Sequence, residues 1–146
     1  MANKTIYIDP SHENFQTFKA LPRDEPIHML NLLRFRPEAM YPPDHPHATK
    51  QWSGERAYKE YGRKSGCIFR HLGGSIIWRG SFQTMVTGPE NTYWDEAFIA
   101  QYPDSNSFFA MIKDPSYQLA VVNRTAALAD SRLVRFQPKE TGQFFS

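Results

Sequence analysis

The order of hydrophobic and polar positions predicts alternating strands and helices along the chain. Residues 27–35, Ile-His-Met-Leu-Asn-Leu-Leu-Arg-Phe, are apolar at odd and even positions alike, which is typical of a central strand covered on both faces. Before this strand, Asp9 and Pro10 predict the start of a short helix that ends near Pro22. We therefore expect an N-terminal arm, residues 1–26, ahead of the main domain.

Proline dominates the segment that follows this strand. Four prolines between residues 37 and 46 exclude a helix or a central strand, so residues 37–51 are predicted to be an irregular excursion. Loops of this length are uncommon and often functional, and we expect this one to be the least rigid part of the chain or a lid. Ser53 then caps a helix to about Leu72, with Tyr58 and Tyr61 on its apolar arc. The opposite arc is polar and carries Arg56, Lys59, Glu60, Arg63 and Arg70.

The second half of the chain completes a mixed fold. The predicted elements are a strand at 76–87, a strand at 94–101, a helix from 103 that breaks at Asp114 and resumes to about 129, and a strand at 132–136. Without the arm the order is β-α-β-β-α-β, the ferredoxin-like unit, so the fold class is α+β. This domain spans residues 27–136, and residues 137–146 form a C-terminal tail.

A ferredoxin-like sheet is covered by helices on one face only. The strands of this chain are apolar on both alternate sets of positions, so the other face also needs a cover. A second copy of the chain is the simplest cover, which predicts a homodimer.

Composition excludes several classes of partner and compartment. The chain has 146 residues and a formal net charge of +2, and its basic residues are scattered, so we expect no nucleic-acid partner and no anionic membrane. A single cysteine, Cys67, excludes an internal disulfide framework and a thiolate zinc site. No apolar run has the length of a signal peptide or of a membrane span, so we expect a cytoplasmic protein.

Motifs in the second half resemble those of a known family. They are His71-Leu72-Gly73-Gly74, Ile77-Trp78-Arg79-Gly80, Trp94-Asp95, Tyr102-Pro103, Asp114-Pro115-Ser116-Tyr117-Gln118 and Asn123-Arg124. Together they resemble the domain of unknown function 1330 family, over roughly residues 27–136. The arm and the Pro/His-rich excursion depart from the usual chain of that family and look like a longer subgroup.

The resemblance implies a fold more than a reaction. The family belongs to the dimeric α+β barrel superfamily, in which two ferredoxin-like chains pack sheet against sheet, with a pocket between the sheet and the helices. Relatives in the superfamily include cofactor-free monooxygenases acting on aromatic polyketides, muconolactone isomerases and haem enzymes. Fold analogy does not choose among them.

Arg124 is the most informative candidate for the site. On a helical wheel it lies within the apolar arc of Tyr117, Ala120, Val121 and Leu128, where a guanidinium needs an anion. That anion is either an acidic or enolate group of a ligand or a buried carboxylate such as Asp95. A second apolar arc on the other side of the same helix leaves a third alternative, in which Arg124 lies on the surface.

Polar side chains within an otherwise apolar strand and on an apolar helix arc complete the candidate pocket. Asn31 interrupts a strand of Leu and Met, and its amide either orients a ligand or bonds a neighbouring strand or the arm. Tyr58 and Tyr61 are core residues or the wall of a cleft between helix and sheet. The candidate ligand-binding residues are therefore Asn31, Tyr58, Tyr61, Tyr117 and Arg124.

Several histidine, aspartate, cysteine and tryptophan side chains are expected to have structural roles rather than to bind a metal, a cofactor or a ligand. Asp44, His45 and His47 are suitable ligands for zinc or iron(II), but they lie too close together in a proline-rich loop to converge well, so we expect no metal. Neither His71 nor Cys67 is placed to ligate haem, and we expect no cofactor. His71 ends its helix, where a cation favours the helix dipole. Trp78 and Trp94 are expected to pair across the hairpin as core or dimer-interface residues.

Two functional hypotheses remain open at this point. In the first, the homodimer binds an apolar ligand with a carbonyl or acidic group and acts, if it is an enzyme, as a cofactor-free monooxygenase, isomerase or cyclase. In the second, the chain is a non-catalytic binding or interaction protein whose aromatic residues fill its core. A cavity of several hundred Å³ that reaches Arg124 favours the first hypothesis, and a filled core favours the second.

Overall fold

The computed structural model describes residues 6–146. Its elements in chain order are α1 (His12–Ala20), β1 (Ile27–Phe35), α2 (Gly54–His71), β2 (Ser75–Ser81), β3 (Glu96–Tyr102), α3 (Ser105–Lys113), α4 (Pro115–Ala127) and β4 (Leu128–Phe136). The four strands form one antiparallel sheet in the order β2-β3-β1-β4. The predicted α+β, ferredoxin-like topology is therefore confirmed. No helix within residues 6–146 combines the length and the apolarity needed to cross a membrane.

Polar caps and one left-handed glycine set the ends of the long helices. The Ser53 side chain accepts a hydrogen bond from the backbone N–H of Arg56 and so caps α2 as predicted. Asp114 ends α3 and caps α4, where its carboxylate accepts from the N–H of Ser116. Gly73, at φ +87°, turns the chain out of α2 in the conformation that only glycine adopts freely.

Several predicted boundaries were wrong, among them the start of β3, which is Glu96 rather than residue 94, and three others have clear local reasons. The N-cap of α1 is Ser11 rather than Asp9, because the Ser11 hydroxyl accepts from the N–H of Asn14. The strand predicted at residues 76–87 ends at Ser81, opposite the first residue of β3. The final strand begins at Leu128 instead of 132, since Leu128 already pairs with Phe35 of β1.

The buried core consists of two clusters at opposite ends of β1. Around Ile27 the larger cluster is built from β1, β3, α3 and α4, and its buried members are Ile27, Met29, Ala100, Tyr102, Phe108, Phe109, Met111 and Tyr117. The smaller cluster surrounds Leu33 and contains Leu33, Ala57, Ala127 and Leu128. Asn31 lies on β1 between the two clusters, in the middle of the face that the helices cover.

The excursion at residues 37–51 packs against the outer side of α2 and α4. Tyr41 stacks on His45 and donates a 2.6 Å hydrogen bond to the Asn123 side chain, and His47 packs on Trp52. Glu60 lies beneath this loop and is only 4% exposed. The helical spacing had predicted that it lies on the polar side of α2. The loop does not line the cavity described below, so it is not a lid over that cavity.

The sheet face opposite the helices, called the open face below, is uncovered within the chain. Registry places Trp78, Ile99, Leu30 and Val134 in one row across all four strands of this face. Trp78 is 49% exposed and Val134 40%. Trp78 therefore pairs with Ile99 and not with Trp94, which precedes β3 and stacks on the Arg132 guanidinium.

Candidate functional site

An open cavity of about 2340 Å³ separates the helix layer from the sheet. Its floor contains two complete rows of side chains across the four strands, on the face opposite the Trp78 row. One row is Arg79, Phe98, Asn31 and Leu133, and the other is Ile76, Ala100, Met29 and Arg135. The cavity therefore extends from one edge of the sheet to the other.

All five residues predicted from the sequence line this cavity. Asn31 lies on its floor, Tyr58 and Tyr61 reach it from α2, and Tyr117 and Arg124 reach it from α4. Because α2 and α4 present these side chains towards one another above the sheet, the polar groups converge on the same space.

The three tyrosines form a connected group above the floor. The hydroxyl oxygens of Tyr61 and Tyr117 are 2.8 Å apart, and the Tyr58 and Tyr61 rings pack with centroids 5.2 Å apart. Burial raises the pKa of all three phenols, and the nearby Arg124 charge offsets only part of this rise. The phenols therefore keep their protons at neutral pH. Since the Tyr61–Tyr117 bond uses only one of their two hydroxyl protons, the other is available to donate to a ligand.

Arg124 is held by the N-terminal arm. Its Nη1 donates a 2.9 Å hydrogen bond to the Ile8 carbonyl and lies 3.8 Å from the Asp9 carboxylate, with the side chain 12% exposed. The alternative of a surface arginine is wrong, and so is the pairing with Asp95, whose carboxylate accepts from the backbone N–H of Phe35. A guanidinium has five N–H donors, so one bond to Ile8 leaves others for a ligand anion.

The arm lines part of the β4 side of the cavity. The backbone N–H of Tyr7 donates to Asp130, and the Ser131 hydroxyl donates to the Tyr7 carbonyl at 2.7 Å. Further along, Phe15 and Phe18 of α1 pack edge to face against Phe109 and Phe108 of α3. The arm thus joins β4, α4 and α3 and forms one wall of the cavity.

Asn31 is oriented by its own strand. Its amide nitrogen donates a 3.1 Å hydrogen bond to the Met29 carbonyl, and the residue is 8% exposed. This arrangement differs from the predicted alternative of a bond to a neighbouring strand or to the arm. This bond uses one of the two N–H donors of the amide, so Asn31 still brings a second N–H and the amide oxygen to the cavity floor.

Three carboxylates and one imidazole are among the described residues that line the cavity: Asp9, Glu55, Glu96 and His12. Glu96 lies on the helix-covered face of β3, where its charge adds to the effect of burial in raising the pKa of Tyr58, and it is paired with Arg79. The arrangement can therefore hold a carbonyl or an anion among Arg124 and the phenols.

The remaining sequence candidates lie away from this cavity. His71 is the exposed last residue of α2, and Cys67 is exposed, as the wheel predicted. Within residues 6–146 no group of three histidine, cysteine or acidic side chains is arranged to hold a metal ion. The His45 ring accepts a hydrogen bond from the backbone N–H of His47, which gives it a structural role in the loop.

Phe98 and Arg135 are among the cavity residues that were not singled out from the sequence. Both occupy the floor rows, and the Arg135 side chain donates to the Pro22 carbonyl of the arm. Both lie inside predicted strands, but apolar and polar residues do not alternate regularly over 132–136, so the pattern did not assign Arg135 to either face.

Comparisons with known proteins agree with the fold. The family model "Domain of unknown function (DUF1330)" matches residues 48–136. The crystal structure of RPA0582, a protein of unknown function from Rhodopseudomonas palustris, is 47% identical with a TM-score of 0.85, covering 94% of this chain and 100% of that chain. The crystal structure of methylated RPA0582 is 46% identical with a TM-score of 0.87, covering 96% and 100%.

A third solved structure has a much lower sequence identity. SnoaB, a cofactor-independent oxygenase from Streptomyces nogalater, is 11% identical with a TM-score of 0.47, covering 80% of this chain and 96% of that chain. A likeness at that level carries nothing about activity. No curated protein matches the chain. The family model and the two RPA0582 structures confirm the resemblance found in the motifs, and this chain belongs to the domain of unknown function 1330 (DUF1330) family.

Proposed function

We propose that this chain is a homodimeric protein that binds a largely apolar small molecule, with a carbonyl or acidic group, between its helices and its sheet. The observation that carries the proposal is the cavity of about 2340 Å³ that reaches Arg124 and the three tyrosines. A chain that served only as an interaction module would gain stability by filling this space with side chains.

The chemistry of the lining defines the ligand class. Aromatic and aliphatic side chains, among them Met29, Phe98 and Leu133, favour an apolar body. Arg124, one free phenolic proton and the Asn31 amide favour an oxygen-rich group at one place on that body. Because a cation and neutral donors act together, an anionic oxygen is held more strongly than a neutral one.

The homodimer is supported by the open face. Its central row of Trp78, Ile99, Leu30 and Val134 is apolar throughout, and both outer members are substantially exposed in the single chain. A sheet face of this kind is stable in water when a second apolar surface covers it. A second copy of the same face supplies that surface with twofold symmetry.

Catalysis in the cavity would depend on the acidity of the substrate. Since Glu96, the carboxylate that interacts with Tyr58, is paired with Arg79, the protein would stabilise an enolate or phenolate that forms readily, through Arg124 and the phenols. This is consistent with cofactor-free monooxygenase, isomerase or cyclase chemistry. The alternative is a binding protein with the same cavity and no turnover.

A ligand panel tests the proposal. We expect aromatic carboxylates and acidic phenols to raise the melting temperature of the protein, whereas aromatic amines of matched size leave it unchanged. Arg124→Ala should remove the shift. Failure of every carboxylate and phenol to bind would contradict the ligand-binding role. Consumption of a bound compound, followed by mass spectrometry, separates enzyme from binding protein.

A further inference from the structure

The cavity is a channel that runs across the strands, because its floor rows contain one side chain from each of the four strands. Three inter-strand spacings of roughly 4.8 Å make this width about 14 Å. The channel is therefore longer than a single aromatic ring and its acidic group, and its two ends lie at different edges of the sheet.

The end at β4 is partly covered by the arm and carries the positive charge of Arg124. The arm bonds to Asp130 and Ser131 of β4 and to Arg124 of α4, so its backbone crosses the gap between sheet and helix at this part of the edge. Further along β4, Leu133 is 40% exposed. A ligand that enters from the other end meets the guanidinium last.

The end at β2 is open, and its two floor residues on this strand are Ile76 and Arg79, whose charge is paired with Glu96. Six of the seven residues of β2 are exposed, including Ile76, which is 45% exposed on the floor row. Above it, Gly62 and Gly66 of α2 line the cavity, and a Cβ atom added to either would meet no heavy atom within 4 Å. Glycine within a helix lowers its stability, and these two keep the roof of the opening free of side chains.

We infer that the ligand is an elongated apolar or aromatic carboxylic acid that lies across the strands, enters over the β2 edge and places its carboxylate against Arg124. This inference rests on the proposed function and adds to it the shape of the ligand, its direction and its route of entry. Gly62 and Gly66 are then the residues that set which ligand lengths are accepted.

The test is a calorimetric titration with ω-phenylalkanoates, from phenylacetate to phenyldecanoate. For the unsubstituted protein, affinity should rise roughly three- to fourfold with each methylene that enters the channel. It should level off once the chain extends past the β2 edge. A rise that continues unchanged over the whole series, or no rise at all, would overturn the inferred orientation.

Leucine substitutions at Gly62 and Gly66 test the route of entry separately from carboxylate binding at Arg124. Gly62→Leu and Gly66→Leu should fold, because the space around each Cβ is open and leucine is the better helix former. Both variants should lower affinity for the longest acids by at least about tenfold and leave phenylacetate unaffected. Ala110→Leu, an exposed position on α3 outside the cavity, is the matched control and should bind the whole series like the parent.

The outcomes distinguish this inference from the proposed function. If the glycine variants bind all lengths like the parent, or lose all lengths equally, the route over β2 is wrong. The cavity proposal still stands in that case if Arg124→Ala abolishes binding. If no member of the series binds to the parent protein, both the inference and the acid-binding role are contradicted.

Discussion

The two faces of the sheet are built from the same four strands but differ in their central rows. On the helix-covered face, Asn31 and Arg135 occupy the rows that floor a cavity, together with aliphatic and aromatic side chains. On the open face, the central row is apolar from Trp78 to Val134, and the polar pair His28 and Gln101 lies in the row beside it. The covered face thus brings polar groups into a cavity, whereas the open face exposes an apolar row in the single chain.

The largest expected effect comes from placing a charge on the open face. Trp78→Asp should weaken the dimer on the order of a hundredfold, because an aspartate in the centre of an apolar interface loses its hydration. Light scattering over a range of concentrations measures the change. Leu119→Asp, at a 75% exposed position on α4, is the control and should leave the dimer intact. An unchanged dimer in the Trp78 variant would mean that this face is not the interface.

The next effect concerns the charged end of the cavity. Arg124→Ala should reduce the affinity for an aromatic carboxylate by roughly 1.5 to 3 kcal/mol, the contribution of a charge-assisted pair. Loss of the bond to Ile8 should also lower the free energy of unfolding by about 1 kcal/mol. Titration and a chemical melt measure the two separately. Lys113→Ala, which removes an exposed cation outside the cavity, should change neither.

A smaller effect is expected from the paired phenols. Tyr61→Phe and Tyr117→Phe should each lower the free energy of unfolding by about 1 kcal/mol, since each removes the same hydroxyl pair. The double variant should cost little more than either single one, because one shared bond is lost only once. Additive losses in the double variant would show that the two hydroxyls act independently.

The smallest effect is expected outside both faces, beneath the excursion at 37–51. The Arg63 guanidinium, bonded to Glu60 through both carboxylate oxygens, lowers the pKa of that carboxyl. A carboxyl whose pKa is lowered by folding stabilises the protein at neutral pH and loses that contribution as the pH falls through its folded pKa. Glu60→Gln should therefore be less stable than the parent near pH 7, with the difference vanishing in acid.

Ligand affinity and dimerisation should be unaffected by Glu60→Gln, because the loop lines neither the cavity nor the open face. Thermal melts across the acid range, with the exposed Glu140→Gln as control, measure the stability difference. A difference that is constant with pH would contradict an ionised Glu60 in the folded chain.

Local patterns in the sequence were sufficient to predict the fold. They did not predict that the N-terminal arm contacts Arg124. The apolar run of β1 is bounded by Pro26 and Pro37, and its predicted ends were confirmed. Helical spacing likewise placed Tyr58 and Tyr61 on an inward arc, and it gave an inward position for Arg124 as one of its alternatives. By contrast, the residues that hold Arg124 lie in the arm, more than one hundred positions away in the chain. Hydrophobic periodicity gives no information about a contact over that separation.

Strand ends were the weakest part of the sequence prediction. The strand predicted at 76–87 includes Phe82 and Val86, which are apolar enough for a strand, but regular pairing with β3 ends at Ser81 and Glu96, and Phe82 adds only one bond from its N–H to the Asp95 carbonyl. The early start of β4 was missed because residues 126–129 continue the helical pattern. Pairing decides where a strand ends, and pairing is a property of two segments rather than one.

The central claim is that the helix-covered face encloses a ligand site anchored by Arg124. A crystal structure of the full chain with phenylbutanoate at saturating concentration tests it most directly. The account predicts the carboxylate within hydrogen-bond distance of the Arg124 guanidinium, with the phenyl ring over Asn31 and Phe98 and directed towards β2. A cavity filled by its own side chains, or phenylbutanoate bound elsewhere on the protein, would contradict it.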